Sequence, residues 1–516
     1  MVSMQLALLW PFLFLLLLSF VFFSGRRKDN NLLLPNSPPG LPFIGNLHQL
    51  GALQHRSLAS LALRHGPVML LHLGRLPVVY ISSASAASEV LKTHDLVFAS
   101  RPSSTITDRL FYGSQDVAFA KYGDFWRHVR RVCVVHLLSL RRVHSFRAIR
   151  EEEVALLVGS LRATAGAPAP VSEMITELTN NVLCRVAFGR KQFLELGGGT
   201  NVRKMFADLL TLLGEFPVRD FAPWLGWLDC LSGLDARINK TALEFDGFIE
   251  KMLVEHETRR RKSNGDGGDA TAEDFVDILL SSEAAEGATL SRDTVKAIIL
   301  DVFAAGTDTT YTTLEWAMAE LIKHPQKMRI AQEEIRRIVG SKETIAEEIV
   351  ETMDYLTAVI KETLRMHPPL PLLVPREAMD DAKIHGFLIP KGTRVVINVW
   401  AMGRDPDSWE QPDEFIPERF LNDSTAVDFM GQHFQLLPFG AGRRSCPGIA
   451  FAVATARLAL ANLLCHFDWE LPNGKRGEEL DMDEAYGIVV HKKSSLILVA
   501  KPRGMHAAAA AAVRSL

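Results

Sequence analysis

The longest apolar run in the chain is Leu6 to Phe23, which only Pro11 and Ser19 interrupt, and three basic residues follow it at positions 26–28. About 20 apolar residues span a bilayer, and basic residues beside a span mark its cytosolic side. We therefore predict a membrane anchor over residues 1–25, with the rest of the chain in the cytosol. A cleaved signal peptide is the alternative, but its basic residues would precede the apolar run.

Two later segments have the composition and alternation of β-strands. Val68 to Ser82 contains β-branched residues on both sides of a Gly74-Arg75 break, which predicts a hairpin. Ile384 to Val399 predicts further strands around a Pro390-Lys391-Gly392 turn. The region from Val202 to Arg261, in contrast, predicts helices.

The strongest helical pattern contains Val295, Ile298, Ile299, Val302 and Phe303 at helical spacing, and His324-Pro325 marks its end. Thr309 falls on the same face as Ile298 and Val302, so a hydroxyl interrupts an otherwise buried stripe. Gly306 lowers helix propensity at this point, and a threonine hydroxyl can bond the carbonyl one turn back. The pattern predicts a locally weakened helix with room beside it, although a helix that merely tolerates small polar residues is the alternative.

One cysteine, Cys446, lies in a glycine-framed loop that follows Pro438 and precedes the apolar stretch Ile449 to Leu464. Glycines allow tight turns and close approach to a flat ligand. Two neighbouring arginines and the N-terminus of the following helix are expected to favour a thiolate over a thiol. A thiolate of this kind suits the axial position of a haem iron, whereas an inert buried cysteine is the alternative.

Composition excludes several classes of protein. The chain has 516 residues and a formal net charge of −3, which argues against a nucleic-acid binder. Its five cysteines are widely spaced and odd in number, which fits neither a disulfide framework nor a paired-cysteine zinc site. A reducing compartment around the folded domain is the natural inference.

Charged residues suggest two further features. The segment from Arg127 to Arg150 contains seven arginines and no acidic residue, which predicts a docking surface for an acidic partner or, alternatively, a solvated basic face. Glu362 and Arg365 lie one helical turn apart, and Arg419 follows later. These three residues predict a buried structural cluster, for which an exposed ion pair is the alternative.

Several of these motifs together resemble those of the cytochrome P-450 superfamily. The cysteine loop matches Phe-x-x-Gly-x-Arg-x-Cys-x-Gly, and the run from Ala305 to Thr310 matches the oxygen-activation motif. Glu-x-x-Arg, Pro-x-Arg-Phe and Trp-x-x-x-Arg motifs are also present. Pro438 to Gly448 and Phe467 to Pro472 are most similar to the plant microsomal group that includes the grass indole and benzoxazinoid monooxygenases.

The resemblance implies a mainly α fold with a smaller β region, in which haem b lies between the long central helix and the cysteine loop. It also implies four regions: the anchor at 1–25, a basic and proline-rich hinge at 26–45, the catalytic domain at 46–503 and an alanine-rich tail at 504–516. The implied site residues are the axial iron ligand Cys446, the haem-binding residues Trp126, Arg130, Arg376, Phe439, Arg444 and Gly448, the proton-delivering residues Asp308 and Thr309, and the structural residues Glu362, Arg365 and Arg419.

The implied function is a monooxygenase that inserts one atom of O2 into a small apolar substrate of plant specialised metabolism, such as an indole derivative, another aromatic compound or a terpenoid. NADPH–cytochrome P-450 reductase would supply electrons at the endoplasmic reticulum membrane, since no flavin or dinucleotide fingerprint stands out. The expected pocket segments are Ser103 to Asp116, Met205 to Phe221, Ile298 to Ala305, Leu370 to Val374 and Ala485 to Val490.

Three other functions stay open at this point. A haem-thiolate isomerase or dehydratase that acts on an oxygenated lipid would use the same cysteine loop but would need no proton relay. A non-catalytic haem carrier or sensor would need no substrate pocket. A membrane-tethered interaction protein would bind no haem at all.

Overall fold

The computed structural model describes residues 33–189, 202–263, 274–285, 290–340, 342, 344–421 and 427–503. The predicted anchor, the first part of the hinge and the tail therefore lie outside the described residues. Most described residues are helical. The helices are α1 Gln54–His65, α2 Ala84–Ser88, α3 Thr105–Leu110, α4 Asp124–Arg131, α5 Leu140–Ser145, α6 Arg147–Ala163, α7 Val171–Phe188, α8 Val202–Leu213, α9 Val218–Phe221, α10 Trp227–Leu231, α11 Leu234–Ser263, α12 Phe275–Ala285, α13 Arg292–Lys323, α14 Pro325–Val339, α15 Glu347–Val350, α16 Asp354–Met366, α17 Val399–Met402 and α18 Ile449–His466.

The strands form a smaller β region, as predicted. They are β1 Val68–Leu73, β2 Leu76–Ile81, β3 Pro168–Pro170, β4 Arg376–Glu377, β5 Ala382–Ile384, β6 Phe387–Ile389, β7 Arg394–Ile397, β8 Phe467–Glu470 and β9 Ile497–Pro502. The predicted hairpin is confirmed as β1 and β2, and the larger sheet has the order β1-β2-β7-β4. β2 pairs with β7 in parallel, while β3, β9 and β8 form a second sheet and β5 pairs with β6.

The central element of the fold is α13, which packs against α7, α16 and α18. It begins after Ser291, whose side chain accepts a hydrogen bond from the Thr294 N–H, and it ends before His324 as the sequence predicts. Buried residues occur all round the helix, from Ile298 to Trp316. A helix that is buried on every side belongs to the core, so α13 is a fixed wall against which a site can be built.

α18 follows the cysteine loop directly and fills the core beside α13. Among the residues that the structure describes, it is the one helix long and apolar enough to cross a membrane by length and composition. Most of it is nevertheless buried, and it packs against α6, α13 and α14. α18 is therefore a core helix, which fixes the C-terminal side of the cysteine loop.

The described part of the hinge runs along the edge of β1. The Leu70 N–H donates to the Asn36 carbonyl at 2.9 Å, and Gly45 forms a bridge with Leu73. Gly45 has φ +60°, and a Cβ there would lie 2.0 Å from the His72 carbonyl oxygen, so this position requires glycine. Residues 33–45 are thus bonded to the large sheet.

The structure brings Glu362, Arg365 and Arg419 together in a buried cluster. Arg365 donates from Nε and Nη2 to the two carboxylate oxygens of Glu362 at 2.7 and 2.8 Å, and Arg419 Nε donates at 3.1 Å. The side chains of Glu362 and Arg365 are fully buried. Arg365 also donates to the carbonyls of Pro412 and Glu414, so the cluster fastens the 403–419 segment to α16.

We predict that Glu362→Ala destabilises the protein by about 3–5 kcal/mol, because it leaves two buried guanidinium groups without their carboxylate. Denaturant unfolding of the purified protein measures this change. Glu333→Ala is the matched control, since Glu333 forms an exposed ion pair with Arg329 on α14 and should have little effect. Equal stabilities of the two variants would contradict a structural role for the cluster.

Candidate active site

The cysteine loop is a tight turn that presents the Cys446 thiol to an internal cavity. Gly440 and Gly442 have φ values of +64° and +70°, and a Cβ at Gly442 would lie 2.4 Å from a carboxylate oxygen of Asp95. The Cys446 N–H donates to the Phe439 carbonyl at 3.0 Å, while the Gly448 N–H lies 3.4 Å from the sulfur and donates to it. These contacts hold the sulfur at the start of α18.

The electrostatic surroundings of Cys446 differ from those that the sequence predicts. Burial raises the pKa of the thiol, and the Gly448 N–H and the charge of Arg130 only oppose this effect. Arg443 bonds to Asp95, and Arg444 donates to backbone carbonyls, so the two nearest arginines in the sequence are used elsewhere. The thiolate form therefore depends on a bound cation, since a metal ion deprotonates a coordinating thiol.

The cavity has a volume of about 270 Å³ and separates the cysteine loop from α13. Ala305, Gly306 and Thr309 line it on the α13 side, and Phe439, Cys446 and Gly448 line it on the loop side. Small residues on α13 leave space for a flat group opposite the sulfur. A Cβ at Gly306 would lie only 3.0 Å from Leu183, so the helix also requires a small residue for its contact with α7.

Thr309 and Asp308 lie on different sides of α13. The Thr309 hydroxyl faces the cavity and donates to the Ala305 carbonyl at 2.6 Å, which is the backbone contact that the sequence predicts. Asp308 is absent from the cavity wall among the described residues. Burial raises the pKa of its carboxyl group to about 6, with His491 opposing and Glu315 adding to the shift. Asp308 therefore exchanges protons near neutral pH.

Four guanidinium groups converge on the cavity, from Arg101, Arg130, Arg376 and Arg444. Most of their hydrogen bonds go to backbone carbonyls; Arg130, for example, donates to the Ser445 carbonyl at 2.6 Å. Burial lowers the pKa of each group, and the charges of its neighbours lower those of Arg101 and Arg444 further. This excess of buried positive charge fits a ligand with anionic groups, such as the two propionates of haem.

Trp126 lies next to this arginine cluster and does not line the cavity. Its indole N–H donates to the Val117 carbonyl at 3.0 Å, and the Arg444 guanidinium group stacks over its ring at 4.0 Å from the centroid. Trp126 thus positions Arg444 in this structure. The prediction that its N–H contacts a cofactor carboxylate stays a prediction.

Two of the five expected pocket segments contribute to the cavity wall, and three do not. The first of the two contributes Ile298, Asp301, Val302 and Ala305, and the second contributes Leu370, Leu373 and Val374, while Leu372 packs against the hairpin of the large sheet. Segments 103–116 and 205–221 are joined to each other, because the Asp220 carboxylate accepts from the Thr105 hydroxyl at 2.6 Å. Segment 485–490 is held against α13, where Trp316 Nε1 donates to the Val490 carbonyl at 3.2 Å.

The sequence interpretation missed Arg101 and a pair of buried acids. Asp301 lines the cavity and accepts from the N–H groups of Val117 and Ala118 at 2.7 and 3.3 Å. Burial raises the pKa of Asp301 to about 6, and burial together with the Asp301 charge raises that of Asp116 well above its usual range. Asp301 was detectable, because a carboxylate on the apolar face of the strongest helix is unusual.

The comparisons with known proteins agree with this site. The cytochrome P-450 family model matches residues 35–499, so the chain belongs to the cytochrome P-450 family. It is similar to cytochrome P-450 71A1 of Persea americana, with 52% identity over 461 residues, 89% of this chain and 91% of that protein. It is also similar to norfluorocurarine oxidase of a Strychnos species, with 45% identity over 506 residues, 95% of this chain and 98% of that protein.

Solved structures give the same fold. A zebrafish cytochrome P-450 with abiraterone has a TM-score of 0.74 and 28% sequence identity, and covers 88% of this chain and 100% of its own. A zebrafish cytochrome P-450 structure with progesterone has a TM-score of 0.73 and 27% sequence identity, and it covers 87% of this chain and 99% of its own. The chain is therefore a haem b monooxygenase of the cytochrome P-450 family, and the relatives to which it is similar include plant proteins.

We predict that Cys446→Ser abolishes the thiolate-type spectrum of the reduced, carbon monoxide-treated protein, because a neutral hydroxyl is a poor iron ligand. Cys133→Ser is the matched control, since Cys133 also lines the cavity and burial raises the pKa of its thiol. The control should keep the spectrum. If the Cys446→Ser protein retains the spectrum, the iron ligand must be another cysteine.

Proposed function

We propose that this enzyme oxygenates a small apolar substrate of plant specialised metabolism, such as an indole derivative, another aromatic compound or a terpenoid. The observation that carries the proposal is the position of Thr309, whose hydroxyl faces the same cavity as Cys446 from the opposite wall. A monooxygenase needs protons at this point, whereas a haem-thiolate isomerase or dehydratase does not. The geometry therefore favours oxygenation over isomerisation of an oxygenated lipid.

Haem b held by Cys446 supplies the oxygen-activating chemistry, and its thiolate ligand favours O–O cleavage. Arg130, Arg376 and Arg444 would hold its carboxylates, because all three line the cavity and most of their hydrogen bonds go to backbone carbonyls; Arg376 also forms an ion pair with Asp95 at 3.5 Å. Arg101 joins them, although its Nη1 already donates to the carbonyls of Val374 and Pro375. Phe439 and Gly448 line the same cavity, and the Gly448 N–H donates to the sulfur.

Protons pass to the cavity through Thr309, and Asp308 is the acid that supplies them. In this structure the Thr309 hydroxyl donates its one hydrogen to the Ala305 carbonyl, so its oxygen can accept a hydrogen bond from a water, and the hydroxyl must turn from that carbonyl to donate toward the cavity. Burial raises the pKa of Asp308 to about 6, which suits a proton donor, but Asp308 lies on the other side of α13, so its proton would have to reach Thr309 by way of water.

The remaining cavity walls indicate the class of substrate. They include Ile298, Val302 and Ala305 from α13 and Leu370, Leu373 and Val374 from the segment after α16. Such walls bind apolar ring systems by burial of surface, with few directional contacts. The plant relatives, one of them a norfluorocurarine oxidase, support a substrate from specialised metabolism.

Electrons reach the enzyme from NADPH–cytochrome P-450 reductase, which docks on the arginine-rich segment from Arg127 to Arg150. The structure corrects the extent of this surface, because Arg150 is fully buried against Glu347 and Arg130 is largely buried against Ser445. Arg127, Arg131 and Arg141 are exposed, and Val135 and Leu140 beside them are exposed as well. Basic and apolar surface together suits an acidic partner protein.

Residues 1–25 anchor the enzyme in the endoplasmic reticulum membrane by a single span, with the catalytic domain in the cytosol. The apolar run and the basic residues after it carry this proposal. Two sequons, at Asn239 and Asn422, provide a test of the orientation. Glycan attached at either position in cells would place the domain in the lumen.

We predict that Thr309→Ala keeps the thiolate spectrum and substrate binding but lowers the product formed per NADPH consumed. Hydrogen peroxide should be released instead, because a positioned acid–base relay contributes about 10²–10⁴-fold and alanine removes its last hydroxyl. Product and peroxide are measured against NADPH oxidation with reductase present.

Thr309→Ser is the matched control, since it keeps the hydroxyl and should retain much of the coupling. Thr313→Ala tests a second threonine that lines the cavity one turn further along α13. Unchanged coupling in Thr309→Ala would remove Thr309 from the mechanism and would reopen the isomerase function.

We also predict that Arg127→Glu and Arg131→Glu slow reduction of the enzyme by its reductase at low salt, because both residues are exposed and exposed charges steer association. High salt should shrink the difference from the parent, since it screens exposed charges. Arg64→Glu, on α1 and outside the arginine-rich segment, is the control with the same change of charge. If the variants are reduced as fast as the parent at low salt, the arginine-rich segment is a solvated face and not a docking surface.

A further inference from the structure

Asp301 fastens a loop segment to the central helix at the wall of the cavity. Its Oδ2 atom accepts a hydrogen bond from the Val117 N–H at 2.7 Å and a longer one from the Ala118 N–H at 3.3 Å. Asp301, Val117 and Ala118 all line the cavity. The backbone of residues 116–120, which we call the 116–120 segment, is therefore held against α13 about two turns before Thr309.

The carbonyl groups of the same segment face the arginine cluster. The Val117 carbonyl accepts from Arg444 Nη1 at 3.1 Å, and the Ala118 carbonyl accepts from Arg101 Nε at 2.9 Å. The Val117 carbonyl and the Ala118 N–H belong to one trans peptide group, in which the two bonds point in opposite directions. One peptide group thus lies between the Asp301 carboxylate and the Arg444 guanidinium group.

This arrangement joins an anion to a cation through a dipole. A peptide N–H donates more strongly when the carbonyl of the same peptide accepts from a cation, and that carbonyl accepts more strongly when the N–H donates to an anion. The Asp301 carboxylate therefore strengthens the hydrogen bond that holds Arg444, through the peptide group between them.

Of the two buried acids at the segment, Asp301 carries the charge near neutral pH. Burial and the Asp301 charge raise the pKa of Asp116 well above its usual range, whereas burial raises that of Asp301 only to about 6, because the two N–H groups oppose the shift. Arg101 and Arg444 are buried, and burial lowers the pKa of both guanidinium groups. Buried cations are costly without compensating negative charge, and the ionised Asp301 supplies one such charge.

We propose that Asp301 is a positioning residue for the cofactor, which acts through the 116–120 segment to hold Arg444 and Arg101 in place for the haem carboxylates. The inference rests on the proposed function, in which the arginine cluster holds those carboxylates. Asp301 is itself an anion and would repel them, so its contribution is made through the two arginines. Loss of its charge should therefore weaken retention of haem while Cys446 stays the iron ligand.

Haem transfer from the full-length holoenzyme to an excess of apomyoglobin tests this inference, with Asp301→Asn as the variant. Asparagine keeps an acceptor for the Val117 N–H but removes the charge. We expect haem to be lost about tenfold faster, because a hydrogen bond to a charged group contributes more than one between neutral groups. The resonance Raman bands of the haem carboxylate side chains should also shift, which a general loss of stability would not cause.

Asp229→Asn is the matched control, because Asp229 is also a buried carboxylate that accepts from two successive N–H groups. These belong to Val218 and Arg219, at 2.8 and 3.0 Å. Asp229 lies on α10, which contributes no described residue to the cavity wall. The control should lower the stability of the fold without changing the rate of haem loss or the Raman bands.

A double-mutant cycle with Arg444→Lys measures whether Asp301 acts through Arg444. If it does, the two substitutions together should accelerate haem loss by less than the product of their separate effects. Independent effects, or an unchanged rate of haem loss in Asp301→Asn, would overturn the inference while an effect of Arg444→Lys leaves the proposed function standing. If Arg444→Lys changes neither the rate nor the Raman bands, the proposed role of Arg444 at the haem carboxylates is wrong.

Asp301→Glu decides the outcome if Asp301→Asn cannot be loaded with haem. Glutamate keeps the charge and an acceptor for the segment, so retention of haem in Asp301→Glu would support the inference. Failure of Asp301→Glu to bind haem as well would overturn it.

Discussion

The structure of the site depends on the cost of burying positive charge. Four guanidinium groups surround one cavity, and most of their hydrogen bonds go to backbone carbonyls of the 99–120 segment, the segment before β4 and the cysteine loop. A buried cation is costly unless it is paired, and carbonyl dipoles compensate for only part of that cost. An anionic cofactor completes the compensation, so cofactor binding and the packing of these segments stabilise each other.

The residues that the sequence could identify are those whose signal is local. Each of three elements can be predicted from neighbouring residues: the cysteine loop from its glycines, the central helix from its helical spacing and the β1–β2 hairpin from its alternation. The meeting of Glu362 with Arg419 required the family resemblance, because the two lie 57 residues apart. A sequence motif of this kind identifies the residue types that are required, but it does not identify the residues with which they form contacts.

What the sequence could not show depends on contacts between distant segments. Arg101 reaches Val374 across 273 residues, and Asp301 reaches Val117 across 184. The Trp126 N–H donates to the Val117 carbonyl, a partner that no local pattern reveals, while the predicted contact of Trp126 with the cofactor stays a prediction. The same holds for Arg150, which counts as a surface charge in the sequence and is buried against Glu347 in the structure.

The pairing of β2 with β7, and of β3 with β9, has a consequence for synthesis of the protein. Val79 pairs with Val395, and Ala169 pairs with Leu498, so the larger sheet needs the chain as far as Ile397, and the second sheet needs it as far as Pro502 of 516 residues. Contacts of such long sequence separation form slowly. During synthesis, β2 and β3 therefore lack these partners until β7 and β9 have been made.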